Sequence, residues 1–390
     1  MLSLLKNEMI KLHLRKKFLV SVLVFAALSA LICISISLVY KYATSQSVIN
    51  AQENLIKQTQ EELDKETDEA KKKDLSNQLA SQQLALNNLK NRSEINNDNW
   101  KEKLQEQIDS TKNSMENASE SDGSKENIRK ELIRYQYMLD HNIKYSDDTK
   151  PSGINMLLNI IESLGPLFIV IIIAIMASDI VSSEYTPPTM KVLLTRPISR
   201  AKLLASKFLA AIIANVAVII GIEILVTLIM GVIYGFGDFS SPIAVGTKYK
   251  SVVLDASSGS TMVAIYGSSY LISSGKFLLE VLLYQILFIA AVTSFFLLLS
   301  AVIKSSALSM TLGVILPIAI NIAGIIKYFK VIKPFIFTAY GDQVSVLNSS
   351  TIATSSNIAT PLGGIIVLIV WLVASYAIAH RVFTKQDMLI

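Results

Sequence analysis

Four acidic residues, Glu162, Asp179, Glu223 and Glu280, stand inside or at the ends of long apolar runs. An ionisable group at membrane depth costs about 2.5–3.5 kcal/mol on insertion scales, so such residues mark polar contacts between helices, proton handling or a substrate path. Glu223 is the deepest. It follows Lys207 by 16 residues, which places it ~24 Å further along a helix. It is either a polar point on a transport path or a packing hydrogen bond between helices, and Glu162 and Glu280, nearer the ends of their runs, are candidates for the same path.

Other chemistry lacks its residues. A phosphate-cradling loop needs GxxxxGK followed by Ser or Thr; the nearest approach is Gly275-Lys276, where Phe277 follows and Tyr270 occupies the first glycine's position. Any ATP, with its magnesium, must therefore be bound and hydrolysed by another chain. His13, His141 and His380 are far apart, and neither HExxH nor GxSxG occurs, so metalloprotease and serine-hydrolase readings fall away. Cys33 is the single cysteine, which excludes a disulfide framework and a thiolate metal site. The sequence thus predicts no catalytic residue, cofactor or metal of its own.

The elements that hold these residues are those of a membrane protein. The chain has 390 residues, 51% of them hydrophobic and 17% charged, outside the usual range of a soluble domain. The charge is unevenly spread: residues 41–153 hold 17 of the 36 Lys and Arg and 21 of the 31 Asp and Glu. The net +5 is the sum of an acidic insertion and a basic remainder. Bases that flank apolar runs signal topology, and without aromatic interleaving they give no nucleic-acid footprint.

Phe18 to Tyr40 is 23 residues without a charge, long enough to cross a hydrocarbon core and too long for a typical cleaved leader. Further runs at 154–181, 207–234, 277–303, 308–326 and 362–379 make six. Six crossings put both termini on one side, and the segments sharing that side carry Lys6, Lys11, Arg15, Lys16, Lys17, Lys191, Arg196, Arg200, Lys202, Lys304, Arg381 and Lys385. By the positive-inside rule that side is cytoplasmic, and the long insertion is outside. The expectation is an all-α polytopic membrane protein with six transmembrane helices and a helical extracytoplasmic insertion between the first two.

That insertion has neither Gly nor Pro from Lys41 to Asp122, so few local breakers oppose helix. Leu55, Leu63, Leu75, Leu79, Leu86 and Leu89 suggest a coiled-coil-like seam. Ile128, Leu132, Tyr135 and Leu139 trace a second amphipathic helix, and Asn96–Asn99 and Ser119–Ser124 read as turns. Residues 235–276 and 327–361 are expected as extracytoplasmic loops. Pro166 and Pro317 predict helix kinks, and Gly165, Gly221, Gly231, Gly313 and Gly324 predict close helix approach.

The connector between the second and third runs reads Ser178-Asp179-Ile180-Val181-Ser182-Ser183-Glu184-Tyr185-Thr186-Pro187-Pro188-Thr189-Met190-Lys191-Val192-Leu193-Leu194-Thr195-Arg196-Pro197-Ile198-Ser199-Arg200. Met190, Leu193 and Leu194 can share one face of a turn, Pro197 stops it, and Ser199 can cap the next helix. With Asp179, Glu184, Thr189, Leu193, Leu194, Pro197, Ser199, Arg200 and Lys207, this stretch resembles the corresponding loop of ABC-2 type permeases. Pro187-Pro188 stands where that family often has a glycine.

The resemblance implies a permease coupled to a separate cytoplasmic ABC ATPase, with Glu184, Thr189, Met190, Leu193, Leu194, Arg196 and Arg200 in the coupling loop. It implies a homodimer, or a heterodimer with a related permease, in a bacterial cell membrane. It also implies an amphipathic N-terminal helix at the cytoplasmic interface, which Leu2, Leu5, Met9 and Leu12 opposite Lys11 and Arg15 suit independently, and short re-entrant helices within Tyr328–Ser350. The insertion is similar to that of Gram-positive permeases linked to antibiotic-peptide resistance. An exporter of an amphipathic or hydrophobic substrate, such as an antimicrobial peptide, drug or lipid, is the expected function. The alternatives are a four-span mechanotransmission permease and a membrane sensor or structural protein with an external coiled coil.

Overall fold

The computed structural model describes residues 1–43, 46–65, 99–116, 124–144, 150–184, 199–255, 259–324, 331–350 and 360–385, with isolated positions in 66–98 and 325–330. Six helical stretches are long and apolar enough to cross a bilayer: Lys16–Tyr42, Gly153–Glu184, Arg200–Tyr234, Ser274–Val302, Ser306–Ala323 and Pro361–Lys385. They coincide with the six apolar runs. The protein is mostly helical, as its composition predicts.

The N-terminal helix α1 (Leu2–His13) precedes the first span, α2 (Lys16–Ala43). The second span is composite: α6 (Gly153–Leu164), a π turn (Gly165–Ile169), α7 (Val170–Ala177) and a short 3-10 turn (Ser182–Glu184). Pro166 lies in the first turn of the π segment, where the hydrogen-bond ladder widens around a residue that cannot donate. The third span is α8 (Arg200–Tyr234), the fourth α9 (Ser274–Val302), the fifth α10 (Ser306–Ala323) and the sixth α12 (Pro361–Lys385). Between the last two lie 3-10 turns at Lys333–Phe335 and Phe337–Tyr340 and a short helix, α11 (Gln343–Leu347).

The core gathers around α7, whose Val170, Ile172, Ile173, Ala174, Met176 and Ala177 are buried, and around the inner face of α9. Gly165 shows how closely the pieces cross. A Cβ there would lie 1.9 Å from the carbonyl oxygen of Gly341, so only glycine admits the segment after α10 against the break in the second span. Pro317 is buried inside α10, and Asn321 Nδ2 donates to the carbonyls of Pro317 (3.2 Å) and Pro166 (3.4 Å), tying the two proline sites together. Gly313 meets Ser178 as a packing glycine should, whereas Gly221 has open space around it in this chain.

In the insertion, α3 (Gln46–Lys65) turns Ile49, Gln52, Ile56, Thr59 and Leu63 away from solvent at alternating spacings of three and four, while Leu55 is 46% exposed. Of the described seam leucines, Leu63, Leu75, Leu79 and Leu86 are shielded and Leu55 is not, while two polar residues, Gln52 and Thr59, occupy positions on the shielded face of α3 that a count of leucines passes over. Thr59 donates to its own helix at Leu55 O, and Gln52 donates to Gln82 O. Helices α4 (Trp100–Glu116) and α5 (Ser124–Asp140) share a core of Leu104, Ile108, Leu132 and Met138, closed by Ile143. Both predicted turns fall largely outside the described residues.

Residues 235–276, expected as a plain loop, contain two antiparallel pairs: β1 (Pro242–Val245) with β4 (Tyr270–Ser273), and β2 (Tyr249–Asp255) with β3 (Gly259–Ala264). Their short β-branched stretches were hidden behind a search for long apolar runs. The ribbon is locked to α5 by one carboxylate. Glu126, 1% exposed, accepts from the backbone N–H of Gly267 (2.7 Å) and Ser269 (3.0 Å) and from Arg129 (2.8 Å), which also donates to Ser269 O (2.6 Å).

Burial opposes ionisation of Glu126, but the bonds from Arg129, Ser269 and Gly267 outweigh it and hold the carboxyl down at about 2. A depressed carboxylate contributes stability above its unfolded value near 4.5 and loses it as pH falls through the folded value. Relative to the intrinsic rate at each pH, hydrogen exchange at Gly267 and Ser269 should therefore accelerate on acidification towards pH ~2. Glu126→Gln should show the fast exchange at neutral pH already; slow exchange in that variant would refute the lock.

Candidate coupling site: a buried ionic cluster at one membrane surface

Helix α1 has an apolar face with an acid in its middle. Glu8 and Leu12 are buried, Leu5 and Met9 pack against the core, and Leu2 is 83% exposed. The buried stripe is thus Leu5, Glu8, Met9 and Leu12: three residues of the face the sequence suggests, with Glu8 in it and Leu2 outside it. A buried carboxylate needs a cation. Lys207, only 1% exposed on the third span, provides it at 2.9 Å.

The same ammonium binds Glu184, the last described residue of the second span before the connector. Lys11 reaches across the top of the pair, 3.3 Å from Glu8 and 3.5 Å from Glu184. Burial opposes the charge of Glu8, but Lys207 and then Lys11 outweigh it and hold its carboxyl below the ordinary range. Three segments distant in sequence therefore meet on one cation.

A second acid extends the cluster. Asp179 pairs with Arg15 (3.2 Å) and with Lys17, and Arg15 also donates to Ser183 Oγ (2.8 Å). The chain between Asp179 and Glu184 is held from the other side by Ser300 of α9, whose Oγ accepts from the backbone N–H of Val181 (2.9 Å) and Ser182 (3.0 Å). Ser199 caps α8 by accepting from Lys202 N, and Arg200 donates to Thr384 O at the end of α12 (3.4 Å). Both ends of the connector are thereby fixed to helices: Glu184 to α1 and α8, Arg200 to α12.

Of the residues predicted for the connector, Glu184 and Arg200 have these places; Thr189, Met190, Leu193, Leu194 and Arg196 lie outside the described residues. The membrane acids occupy three different surroundings. Glu223 is fully buried on α8 and accepts a hydrogen bond from Gln285 of α9 (2.8 Å). Glu162 borders a cleft of about 330 Å³ with Lys130, Arg134 and Asn155. Glu280 is partly exposed, 4.0 Å from Lys276 one turn away. Sequence reasoning missed Glu8 as a partner of Lys207, although one signal was present: Glu8 is the sole acid before Glu53, and it sits among leucines at helical spacing.

Six apolar helices, with a basic amphipathic helix clamped by ion pairs to the end of the second and the start of the third, define a polytopic membrane protein. The chain matches the family of ABC-2 family transporter proteins over residues 2–388 and belongs to that family. It is accordingly a membrane-embedded permease subunit that works with an ABC ATPase. Comparison with curated proteins gives no match.

Removing one member of a buried ion pair strands the other charge, which costs about 3–5 kcal/mol. Lys207→Met should therefore lower the thermal stability of the detergent-purified protein sharply. Adding Glu8→Leu and Glu184→Leu to the same chain should restore most of the loss. A triple variant no more stable than Lys207→Met would show that the cluster is not held by mutual neutralisation.

Proposed function

We propose that this chain is the permease of an ATP-driven exporter, with both termini and the connector of residues 185–198 in the cytoplasm and the helical insertion outside. Two copies, or this chain and a related permease, form a path between their spans. ATP binding by the partner moves the connector, and the path changes from inward- to outward-open. The cargo is amphipathic or hydrophobic: an antimicrobial peptide, a drug or a lipid.

The observation that carries this reading is the Lys207–Glu184–Glu8 cluster. A loop that only linked two spans would need no buried charges at its root. Here the residue that opens the connector is bonded both to the third span and to the interfacial helix, so a displacement of the connector acts on both. The basic character of α1 and of the connector supports the cytoplasmic side. Six apolar helices favour this reading over a four-span mechanotransmission permease.

Co-expression with a candidate partner ABC ATPase, followed by reconstitution, tests the assignment. Glu184→Gln keeps the shape of the side chain but weakens its hold on Lys207. It should leave ATPase binding intact and reduce transport about tenfold or more, with ATP hydrolysis less affected. Normal transport in Glu184→Gln, or ATP hydrolysis by the purified chain alone, would overturn the division of labour.

Glu223 supplies a second arm. If it is a polar point on the path, Glu223→Gln should impair transport while leaving assembly and thermal stability near the wild type, because the amide can still bond Gln285. Unchanged transport would leave Glu223 as a packing residue only.

A further inference from the structure

The ionic cluster opens sideways into a cleft of about 500 Å³ bordered by four cations, Lys11, Arg15, Lys16 and Lys17, and by the carboxylates of Asp179 and Glu184. Both carboxylates are engaged within the cluster: Asp179 with Arg15 and Lys17, Glu184 with Lys207 and Lys11. The lining keeps two positive charges in excess. Lys16 takes part in none of these pairs and is exposed. A half-buried cation surplus at the edge of a membrane span calls for an anion.

The surroundings select the kind of anion. Lys16 opens α2, and Leu19, Val20 and Leu23 follow it at three, four and seven residues, so all four share one face of the helix. These three are 62%, 51% and 59% exposed, a continuous apolar strip leading from the cleft down the outside of the first span. A free inorganic anion would use only the cations. A molecule with a phosphate head and acyl chains would use both surfaces, with its head among the ammonium groups and its chains along α2.

We infer that this cleft is a binding site for an anionic phospholipid, whose phosphate is held by Lys16 with Lys11, Arg15 and Lys17 and whose chains lie against Leu19, Val20 and Leu23. The lipid offsets the cation surplus and so reinforces the grip of α1 and α2 on Asp179 and Glu184, at the root of the connector. The inference rests on the six-span architecture and on the cleft. It holds whichever side of the membrane α1 faces and whatever the cargo is.

The test uses the full chain in detergent, with native mass spectrometry for binding and thermal unfolding as a second readout. The probes are dioleoyl-phosphatidylglycerol, dioleoyl-phosphatidylcholine and inorganic phosphate. Phosphatidylglycerol should bind and stabilise, and the other two should do neither. Lys16→Gln, a surface change outside the ion pairs, should weaken phosphatidylglycerol binding about fivefold. Lys276→Gln, at the opposite membrane surface, should leave it unchanged. Equal binding of phosphatidylcholine, the same stabilisation by phosphate alone, or wild-type affinity in Lys16→Gln would overturn the assignment.

Discussion

The burial of the Lys207 ammonium constrains the whole end of the protein on which α1 lies. A charge that is 1% exposed has lost its water, and no single carboxylate repays that loss unless the geometry is close and other bonds satisfy the remaining protons. Lys207 therefore recruits two, Glu8 and Glu184. Those two come from opposite ends of the first two spans. The N-terminal helix, the exit of the second span and the entry of the third are thus set in one arrangement by a point charge, where apolar packing alone would permit sliding.

Polar ties recur across the protein, with chemistry matched to depth. At one membrane surface the bonds are ionic and buried. At mid-membrane they are side-chain hydrogen bonds between α8 and α9, from Asn215 to Thr293 (3.1 Å) and from Gln285 to Glu223 (2.8 Å). Beyond the opposite end, Glu126 again uses full charge, but against backbone N–H groups and an arginine. In lipid the apolar faces of helices have little preference for one another, so these ties fix which helices are neighbours and in what rotation. The Glu126 lock also joins the insertion to the ribbon between the third and fourth spans, tying together two separate stretches of sequence.

The six spans were legible because hydrocarbon thickness imposes a run length that composition alone reveals. The break in the second span was legible at Pro166 for the same kind of reason: a missing donor is written in the residue itself. Partnerships were not. Nothing in the spacing of Glu8, Glu184 and Lys207 says that residues 199 and 23 positions apart share a proton-rich centre; only the anomaly of a single acid in a basic leader hinted at it. The four short strands escaped because each is too brief to leave a periodic signal, and a count of leucines passed over Gln52 and Thr59 on the shielded face of α3, where Thr59 bonds its own helix and Gln52 reaches Gln82 O. Sequence pattern reads what a residue needs from its own neighbours on the helix, and fails where the need is met from elsewhere in the chain.

The second span joins these facts into a mechanical argument. Its segment α7 is buried along nearly its whole length, and a packed interior shifts as a unit instead of deforming continuously. In the proposed mechanism a pull on Glu184 would therefore carry this packed segment, from Ala177 to Val170, along with it. Beyond the helical segment α7 lies the π turn at Gly165–Ile169, where the ladder is already open and Pro166 donates no bond. At that point the backbone of Gly341 lies against Gly165, and Asn321 grips the Pro166 carbonyl. Movement of the connector root, as the proposed mechanism requires it, would therefore be delivered to the segment between the fifth and sixth spans. The ionic cluster and the proline break thus stand at the two ends of one buried segment, α7, which ties the connector root to the contact with the fifth span.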